Sequence, residues 1–570
     1  MRKTCKNCSQ NFEITDQEKI FHEKWDLPMS DTCPQDRLIE IMAFRNENRL
    51  YPRKCSLSNE SILSAYQPNT SFPVYKNEIW WGDGWDGLEY GREFNLDKSF
   101  FQQFQELQKV VPREGTSIFN CENCDFNSHT RTSKNCYLNS LVADCEDVYY
   151  SHWVVKNKNV IDCIYFNDSQ LCYECIDCYN LYNCFVLQES TNCSDSFFCY
   201  QIKNCNKCIF CTNITNKSFH IFNKSASEDE YNILKSKILS GSYKTWMDFY
   251  KKFLDMTKKT KHRSIHGLNY ENSTGDHIYN SKNCHTCFDI HGSEDCFNNA
   301  SIGDSKDVYD SYSIGWPKCE IVYKSCVIRG STDIAFCNYV WFSNNLKYCD
   351  SCISCKNCFG CVGLKHKEYC ILNKQYSKEE YEKLVPKIIE AMKSPKSPLT
   401  RGLGHPLDKG GLGDCEWNNF PAKYLSVFTY NETAAQDYFP LTKEEAITKG
   451  FKWSDFEPEF PKVEKIISAN LLPDSISKIP DDILNWAVEC EITKKPFKII
   501  KPELEFYRKM NLPIPHLHPD QRHKDRMALR NPRKLWKRNC MKCGSEIQTT
   551  YSPERKEIVY CEKCYLKEVY

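Results

Sequence analysis

Short apolar and polar runs alternate through the middle of the chain, and cysteine marks the apolar position that repeats. Cys163, Cys184 and Cys205 are 21 residues apart, and so are Cys337 and Cys358. This spacing predicts one coil of a parallel β-solenoid, in which equivalent positions stack about 4.8 Å apart. Many cysteines also recur at multiples of three residues, which an alternating strand does not predict.

A polar residue often precedes these cysteines. Examples are Asn135-Cys136, Asp162-Cys163, Asn183-Cys184, Asn192-Cys193, Asn204-Cys205 and Asn357-Cys358. Asn and Asp tolerate turn conformations and form hydrogen bonds with the nearby backbone. The pattern therefore predicts corners between short strands.

The repetitive region consists of two related halves, each followed by a helical pattern. Residues 208–231 share identities with residues 358–381 at a constant offset of 150. Ser377 and Glu380 form a capping box at the start of the second helix. Its apolar stripe consists of Leu384, Ile388 and Met392. We expect such helices to cover the ends of the solenoid, where strand edges would otherwise be unpaired.

The two ends of the chain are copies of one module. Residues 5–80 and 490–565 align without a gap at a constant offset of 485. Leu27-Pro28 falls on Leu512-Pro513. So many identities in one register indicate an internal duplication.

The last module carries the strongest chemical motif, two CxxC pairs separated by seventeen residues. Its four cysteines are Cys540, Cys543, Cys561 and Cys564. This spacing is typical of a zinc ribbon, in which four thiolates surround a structural Zn²⁺ ion at about 2.3 Å. The alternative, four buried free thiols, does not explain the regular spacing.

The first module carries a second candidate zinc site. Its residues are Cys5, Cys8, Cys33 and Asp36. A knuckle, a hairpin and a ligand pair at a helix start resemble a treble clef, and a carboxylate can replace a thiolate on zinc. The alternative is a decayed site that holds no metal.

Each module has room for two sites, and each copy has kept a different one. The remaining positions read Cys490, Thr493, His518 and Gln521 in the last module, and Cys55, Ser58, Lys76 and Ile79 in the first. Two ligands cannot complete a tetrahedron, so we expect no metal at Cys490 and His518. In the first module, Ile79, Trp80 and Trp81 suggest that packing replaces the lost ligands.

Composition narrows the class of protein. Lys plus Arg and Asp plus Glu number 75 each, so any nucleic-acid surface must be local. The chain shows no apolar segment long enough for a secretory signal or a membrane span. Thirty-six cysteines without an export signal predict a cytoplasmic protein in a reducing compartment.

Residues 522–538 form a basic cluster. Arg522, Arg526 and Arg530 lie four apart and share a helix face, and Arg538 follows. Beside a zinc ribbon, these arginines are candidates for contact with a phosphate backbone. The alternative, which we favour, is that they pair with neighbouring carboxylates, because Asp520 and Asp525 adjoin the cluster.

Other features predict packing rather than chemistry. The Cys172-x2-Cys175-x2-Cys178 run is similar to iron–sulfur ligation, but it lies in a periodic array and favours stacked interior thiols. The aromatic residues near the solenoid entrance, Trp80, Trp81, Trp85, Phe100, Phe101 and Phe104, are expected to pack against the first coil. The chain contains no phosphate loop, nucleophile elbow or HExxH motif.

Taken with Lys134-Asn135-Cys136-Tyr137-Leu138 and the tail from Tyr430, the first zinc motif resembles a known family. The family comprises uncharacterised proteins of candidate-phylum bacteria, with a zinc-ribbon domain and a cysteine-rich repeat region. The resemblance covers nearly the whole chain. It implies zinc binding and a cytoplasmic location but no known activity. Asp36 stands where the family pattern suggests Cys.

These observations predict a mostly β fold, a two-part parallel β-solenoid with flanking zinc-ribbon or treble-clef-like modules and short capping helices. The expected domains are an N-terminal zinc-ribbon module (1–110), a first solenoid half with its capping helix (111–260), a second half with its helix (261–395), a linker and mixed region (396–485, with the linker at 393–415), and a C-terminal zinc-ribbon module (486–570).

The predicted function is a non-enzymatic scaffold or interaction protein with one or two structural zinc ions and a macromolecular partner that the sequence does not identify. One alternative is association with nucleic acid or the ribosome through the C-terminal ribbon and residues 522–538. Another is a carbohydrate-active enzyme that uses a groove on the solenoid.

Overall fold

The computed structural model describes residues 1–25, 27, 29–393, 416–418, 423–457, 460 and 462–569. Strands dominate these residues, so the mostly β fold predicted from the sequence is confirmed. Residues 394–415 of the predicted linker lie outside the described residues. Within the described part of the chain, no helix combines the length and apolar character needed to span a bilayer.

The N-terminal module consists of two hairpins and three helices. Its elements are β1 (Arg2–Thr4), β2 (Asn11–Glu13), α1 (Asp16–Lys24), α2 (Pro34–Met42), β3 (Tyr51–Lys54), β4 (Ser61–Ser64), β5 (Val74–Tyr75) and α3 (Asn77–Trp81). A capping box starts α1, because Glu18 N–H donates to Thr15 Oγ1 at 3.2 Å and Thr15 N–H donates to Glu18 Oε2 at 3.4 Å. The segment then continues through α4 (Phe100–Gln108) and β6 (Arg113–Glu114).

The first half of the repeat region is a stack of short parallel strands, which we call the first stack. Its strands are β7 (Ile118–Phe119), β8 (Ser128–Arg131), β9 (Ser140–Ala143), β10 (Glu146–Tyr149), β11 (His152–Val155), β12 (Lys158–Ile161), β13 (Ile164–Asn167), β14 (Gln170–Tyr173), β15 (Ile176–Tyr182), β16 (Phe185–Gln188), β17 (Thr191–Ser194), β18 (Phe197–Tyr200), β19 (Asn206–Ile209), β20 (Ser218–Ile221) and β21 (Lys224–Ser225). It is followed by α5 (Glu228–Ile238), α6 (Tyr243–Lys259) and β22 (Lys261–Arg263).

The second stack has the same parallel arrangement, and in each stack the last strand pairs antiparallel with the strand before it. Its strands are β23 (Gly267–Glu271), β24 (Gly275–His291), β25 (Glu294–Gly303), β26 (Lys306–Ile314), β27 (Glu320–Tyr323), β28 (Cys326–Arg329), β29 (Thr332–Ala335), β30 (Asn338–Trp341), β31 (Asn344–Lys347), β32 (Lys356–Phe359), β33 (Glu368–Ile371) and β34 (Lys374–Gln375). The helices that follow are α7 (Lys378–Lys393), α8 (Ala434–Tyr438) and α9 (Lys443–Thr448).

The strand register corrects the repeat length. Lys158 pairs with Gln170, and Glu146 pairs with Lys158, so one turn of the first stack takes 12 residues. The 21-residue coil expected from the cysteine spacing is therefore wrong. Both 12 and 21 are multiples of three, but the backbone pairing between neighbouring strands joins residues that are 12 apart.

A three-residue unit explains the positions of the cysteines. Asn135, Asp162, Asn183 and Asn357 all have positive φ between 49° and 58°, and comparable residues recur at almost every third position. The residue after each of these corners points into the stack, where the Cys side chains are buried. Asn and Asp enter the left-handed region more readily than other non-glycine residues, which confirms that the polar residues before the cysteines form corners.

The interior cysteines also form hydrogen-bonded columns. Cys163 N–H donates to Ser151 Oγ at 3.1 Å, and Cys175 N–H donates to Cys163 Sγ at 3.3 Å. The Cys163 thiol in turn donates to Ile161 O at 3.5 Å. Cys and Ser therefore satisfy the backbone in the same way, since each offers one donor and one acceptor.

The capping interactions predicted for the helices after the stacks are present. Glu380 N–H donates to Ser377 Oγ at 3.3 Å, and Ser377 N–H donates to Glu380 Oε2 at 2.9 Å. In α7, Ile388 and Met392 are buried and Leu384 packs against the same apolar cluster. Ser227 starts α5 with an equivalent capping box.

The aromatic residues near the stack entrance pack against both stacks. Trp81 lies in edge contact with Phe119 of β7, the first strand of the first stack, as expected. It also stacks on Trp341, and Phe100 lies in edge contact with Tyr348 and Phe359. These three partners belong to the second stack, so the N-terminal module also reaches across to the other half of the protein.

The C-terminal module repeats the elements of the N-terminal one. After β35 (Lys465–Ser468), its elements are β36 (Trp486–Glu489), β37 (Pro496–Phe497), α10 (Lys501–Met510), α11 (Pro519–Leu529), β38 (Trp536–Asn539), β39 (Glu546–Thr549), β40 (Ile558–Tyr560) and α12 (Glu562–Val569). Six of these elements start 485 residues after their N-terminal counterparts, and β36 and β40 overlap theirs at that offset. The shared order matches the duplication inferred from the sequence.

Each module joins both stacks. Strand β5 pairs with β6 before the first stack, and β40 pairs with β22 before the second. The helices cross to the opposite halves, since Arg37 of α2 pairs with Asp310 and Arg522 of α11 pairs with Asp162. The modules also contact each other, because Arg49 Nη1 lies 2.7 Å from Asp520 Oδ2.

Candidate metal centres

The C-terminal module brings its four cysteines together. The hairpin of β38 and β39 supplies Cys540 and Cys543, and the chain from β40 into α12 supplies Cys561 and Cys564. Their Sγ atoms all lie within 4.8 Å of one another. Cys543 Sγ and Cys561 Sγ are 3.8 Å apart. Two sulfurs bound tetrahedrally at about 2.3 Å would lie about 3.8 Å apart, so the spacing fits a four-thiolate metal site.

Local hydrogen bonds favour the thiolate form of two of these cysteines, which is the form that binds a cation. Cys561 N–H donates to Cys540 Sγ at 3.2 Å. Burial raises the pKa of Cys540, but hydrogen bonds from Cys561 N–H and other backbone N–H groups lower it by more. The pKa of Cys540 therefore lies below its usual value. The Ser545 hydroxyl and N–H lower the pKa of Cys543 to about 6. Burial and the adjacent Cys543 thiol instead raise the pKa of Cys564 to about 12.

The first module assembles the second predicted group. The ligand atoms of Cys5, Cys8, Cys33 and Asp36 lie within 4.8 Å of one another. Cys8 Sγ is 3.8 Å from Cys33 Sγ, and Asp36 Oδ2 is 3.1 Å from Cys5 Sγ. Cys33 N–H donates to Cys5 Sγ at 3.2 Å, as in the equivalent knuckle of the other module.

Acidic groups crowd this first-module site. Burial and the neighbouring Asp36 carboxylate raise the pKa of Cys8 and of Cys33. Three thiols and one carboxylate at these distances repel one another once they ionise, and a divalent cation would relieve that repulsion. The donor set therefore fits a metal site of three cysteines and one aspartate.

The other two positions of the duplicated module carry different interactions. Cys490 is fully buried, and Thr493 N–H points at its sulfur at 3.5 Å. Lys76 Nζ forms an ion pair with Glu60 at 2.8 Å. Trp80 is buried and its Nε1–H donates to Pro112 O at 3.1 Å, so packing occupies the space beside Cys55.

The basic helix does not present its arginines to solvent. Arg522, Arg526 and Arg530 are 5%, 3% and 8% exposed. Arg522 and Arg526 both pair with Asp162, the latter at 2.8 Å. Arg530 Nε lies 2.8 Å from Asp177 Oδ2, and its Nη2 lies 2.5 Å from Asp289 Oδ1. The three arginines therefore pair with carboxylates, as the favoured interpretation expected, but the partners are Asp162, Asp177 and Asp289 of the stacks rather than Asp520 and Asp525. Their charges are used inside the molecule and are not presented to a phosphate backbone.

Arg538 is placed differently from the helical arginines. It is half-buried in β38, and its guanidinium donates to Ser552 O at 3.3 Å and Glu557 O at 3.4 Å. These bonds hold the loop that joins the two halves of the ribbon.

The cysteine runs of the stacks do not converge on a common point. Cys172, Cys175 and Cys178 are at most 3% exposed and face inward at successive corners. Among the described residues, no iron–sulfur ligand group of three or more cysteines is found in either stack. No disulfide links any described cysteine.

One cluster of potential ligands was not predicted. Glu189, His266 and His277 offer ligand atoms within 4.8 Å of one another. Glu189 lies far in the sequence from the two histidines, and the spacing of the histidines matches no metal-binding motif, so no local pattern could have indicated the group.

Comparison with known proteins assigns neither a family nor a function to the chain. The chain matches no protein-family model, and a search of the curated proteins finds no match. The resemblance to bacterial zinc-ribbon proteins stays a prediction, and the function must be argued from the clusters themselves.

Proposed function

We propose that the protein is a non-enzymatic scaffold whose terminal modules are zinc-ribbon and treble-clef-like folds held by structural Zn²⁺. The single observation that carries this proposal is the grouping of Cys540, Cys543, Cys561 and Cys564 with sulfur spacing suited to a tetrahedral ion. Thiolate ligands favour zinc over magnesium or calcium. A site with four protein ligands leaves no open position for substrate, which is typical of structural rather than catalytic zinc.

We also propose that the two stacks form a β-solenoid that presents interaction surfaces. The parallel pairing at 12-residue intervals supports this, as do ladders of side chains on the outside. Asn180, Asn192, Asn204 and Asn216 form one such ladder, in which each Nδ2 donates to the next Oδ1 at 2.9 to 3.0 Å. Regular outer faces of this kind suit an extended macromolecular partner. The free thiols support a reducing, cytoplasmic location.

The test is a metal analysis of the purified full-length protein and of two matched cysteine variants. We expect one or two zinc ions per chain at the cysteine clusters of the wild type. Cys561→Ser should lose one zinc and unfold residues 486–570, because structural zinc contributes about 10–16 kcal/mol to folding of such modules. Cys490→Ser changes a buried cysteine of the same module and should keep the full zinc content.

Hydrogen exchange would locate the effect of Cys561→Ser. Protection should fall in the C-terminal module and persist in the interior of the two stacks, because the stacks have their own buried cores. A wild-type protein without zinc, or a Cys561→Ser protein with unchanged zinc content, would refute the proposal.

A further inference from the structure

A buried junction between the two stacks and the C-terminal module holds a group of side chains with the chemistry of metal ligands. Glu189 follows β16 of the first stack, while His266 and His277 lie at the start of the second stack. Their side chains are 9%, 5% and 11% exposed. His277 Nε2 lies 3.6 Å from Glu189 Oε1. Ligand atoms around one ion at about 2.1 Å lie about 3.0–3.4 Å apart, so small side-chain shifts would complete the site.

His266 has a free ligand atom and a fixed orientation. Its Nδ1 lies 2.9 Å from Asp276 Oδ1, while its buried Nε2 has no hydrogen-bond partner. Asp276 is itself held, because Thr550 Oγ1 donates to its Oδ2 at 2.6 Å. Metal-binding histidines typically have this arrangement, in which a carboxylate orients the ring through the nitrogen that does not bind the metal. An unpartnered buried nitrogen is otherwise costly.

The charges around the group also favour a cation. The arginines that line the same cavity are already paired, Arg530 with Asp177 and Arg555 with Glu557 at 2.5 Å. The two carboxylates, Glu189 and Asp276, therefore carry two negative charges into the group. With both histidines neutral, as metal ligation requires, one divalent ion balances these charges.

We propose that Glu189, His266 and His277 bind a divalent first-row transition metal ion, with a coordination position open to the cavity beside them. The cavity has a volume of about 170 Å³. A water molecule takes about 30 Å³, so the cavity accommodates several waters or a small ligand. Two histidines and one carboxylate with an open position are the ligand set of ions that bind exchangeable water, in contrast to the closed four-cysteine site.

The molecule contains its own comparison for this site. The two stacks can be aligned by their strand pairing, because the Glu146–Lys158 pair of the first stack corresponds to the Glu294–Lys306 pair of the second. The second stack then has two extra residues between Lys306 and Glu320. In this register His129 corresponds to His277, and Tyr339 corresponds to Glu189. Tyr339 Oη lies 3.0 Å from His129 Nε2. The equivalent junction thus has a hydroxyl in place of the carboxylate, and we expect it to bind no ion.

The first experiment uses crystals of the full-length protein soaked with Zn²⁺ alone. An anomalous difference map at the zinc edge should show a peak about 2.0–2.2 Å from the ligand atoms of Glu189, His266 and His277. Peaks at the cysteine clusters would report on the proposed structural zinc separately. A map without a peak at the junction would overturn the inference, whatever the cysteine sites show.

The second experiment measures metal in solution. His277→Gln should contain one metal ion fewer per chain than the wild type after both are loaded with Zn²⁺. His129→Gln, the matched change in the other half, should lose none. Asp276→Asn should weaken Zn²⁺ binding about 10–100-fold, because it weakens the contact that orients the His266 ring while leaving the three ligands in place. A folded His277→Gln protein with wild-type metal content would also overturn the inference, and the anomalous map decides if that variant does not fold.

Discussion

The two related ion clusters that attach the modules to the stacks should differ in strength. In the C-terminal cluster, Asp162 faces both Arg522 and Arg526, and its side chain is fully buried. In the N-terminal cluster, Asp310 faces Arg37 at 3.2 Å, and Arg37 keeps a second carboxylate, Glu18, at 2.7 Å.

Removing each aspartate tests this difference. Among the described residues, Asp162→Ala leaves the two buried guanidinium groups with one ion pair within 4 Å, that of Arg522 Nη2 with Glu503 at 3.6 Å. An uncompensated buried charge costs about 3–5 kcal/mol. Asp310→Ala removes one ion-pair partner of Arg37 and the charged acceptor of Asn298 Nδ2–H, but it leaves Arg37 paired with Glu18, so it costs about 1.5–3 kcal/mol. We therefore expect the larger loss of unfolding free energy at Asp162.

Urea denaturation followed by tryptophan fluorescence measures both losses, from the shift of the midpoint at constant slope. Glu146→Ala, which removes an exposed ion pair with Lys158, is the control and should leave the midpoint unchanged. Equal losses for the two aspartate variants, or a larger loss at Asp310, would refute the reasoning that the number of unpaired arginines sets the cost.

Three further predictions concern the first zinc site, a buried lysine and the stack interior. Asp36→Ala should release one zinc ion from the N-terminal module, as metal analysis would show; unchanged stoichiometry would mean that Asp36 is not a ligand. Burial lowers the pKa of Lys324 to about 8. Between about pH 8 and 10.5 the folded state therefore binds fewer protons than the unfolded state, and the wild type gains stability as the pH rises through that window. Lys324→Met should therefore raise the melting temperature at pH 7 by a margin that shrinks toward pH 10.5; a constant margin would contradict this. Ser331 N–H donates to Cys319 Sγ at 3.5 Å. Cys319→Ser should therefore change the unfolding free energy little, because serine can accept the same bond, while Cys319→Val should cost about 1–3 kcal/mol. Equal effects of the two variants would show that the thiol acts only as an apolar group.

The sequence by itself determined the parts of this protein that depend on local spacing. The duplicated modules were visible because Cys5 and Cys490 stand in one register without a gap. The four-cysteine cluster follows from CxxC pairs, since two residues between ligands let one knuckle hold both sulfurs. The corners before the cysteines follow from Asn and Asp, because these residues enter the left-handed region at low cost.

Only the tertiary structure decided what depends on distant contacts. A three-residue unit permits coils of 12 or 21 residues alike, and the pairing of backbone groups between neighbouring coils selects 12. The charges of α11 could serve a surface or an interior, and the buried Asp162 and Asp177 of the first stack assign them to the interior. Glu189, His266 and His277 come from separate coils, so their meeting is a consequence of how the two stacks pack and has no trace in sequence spacing.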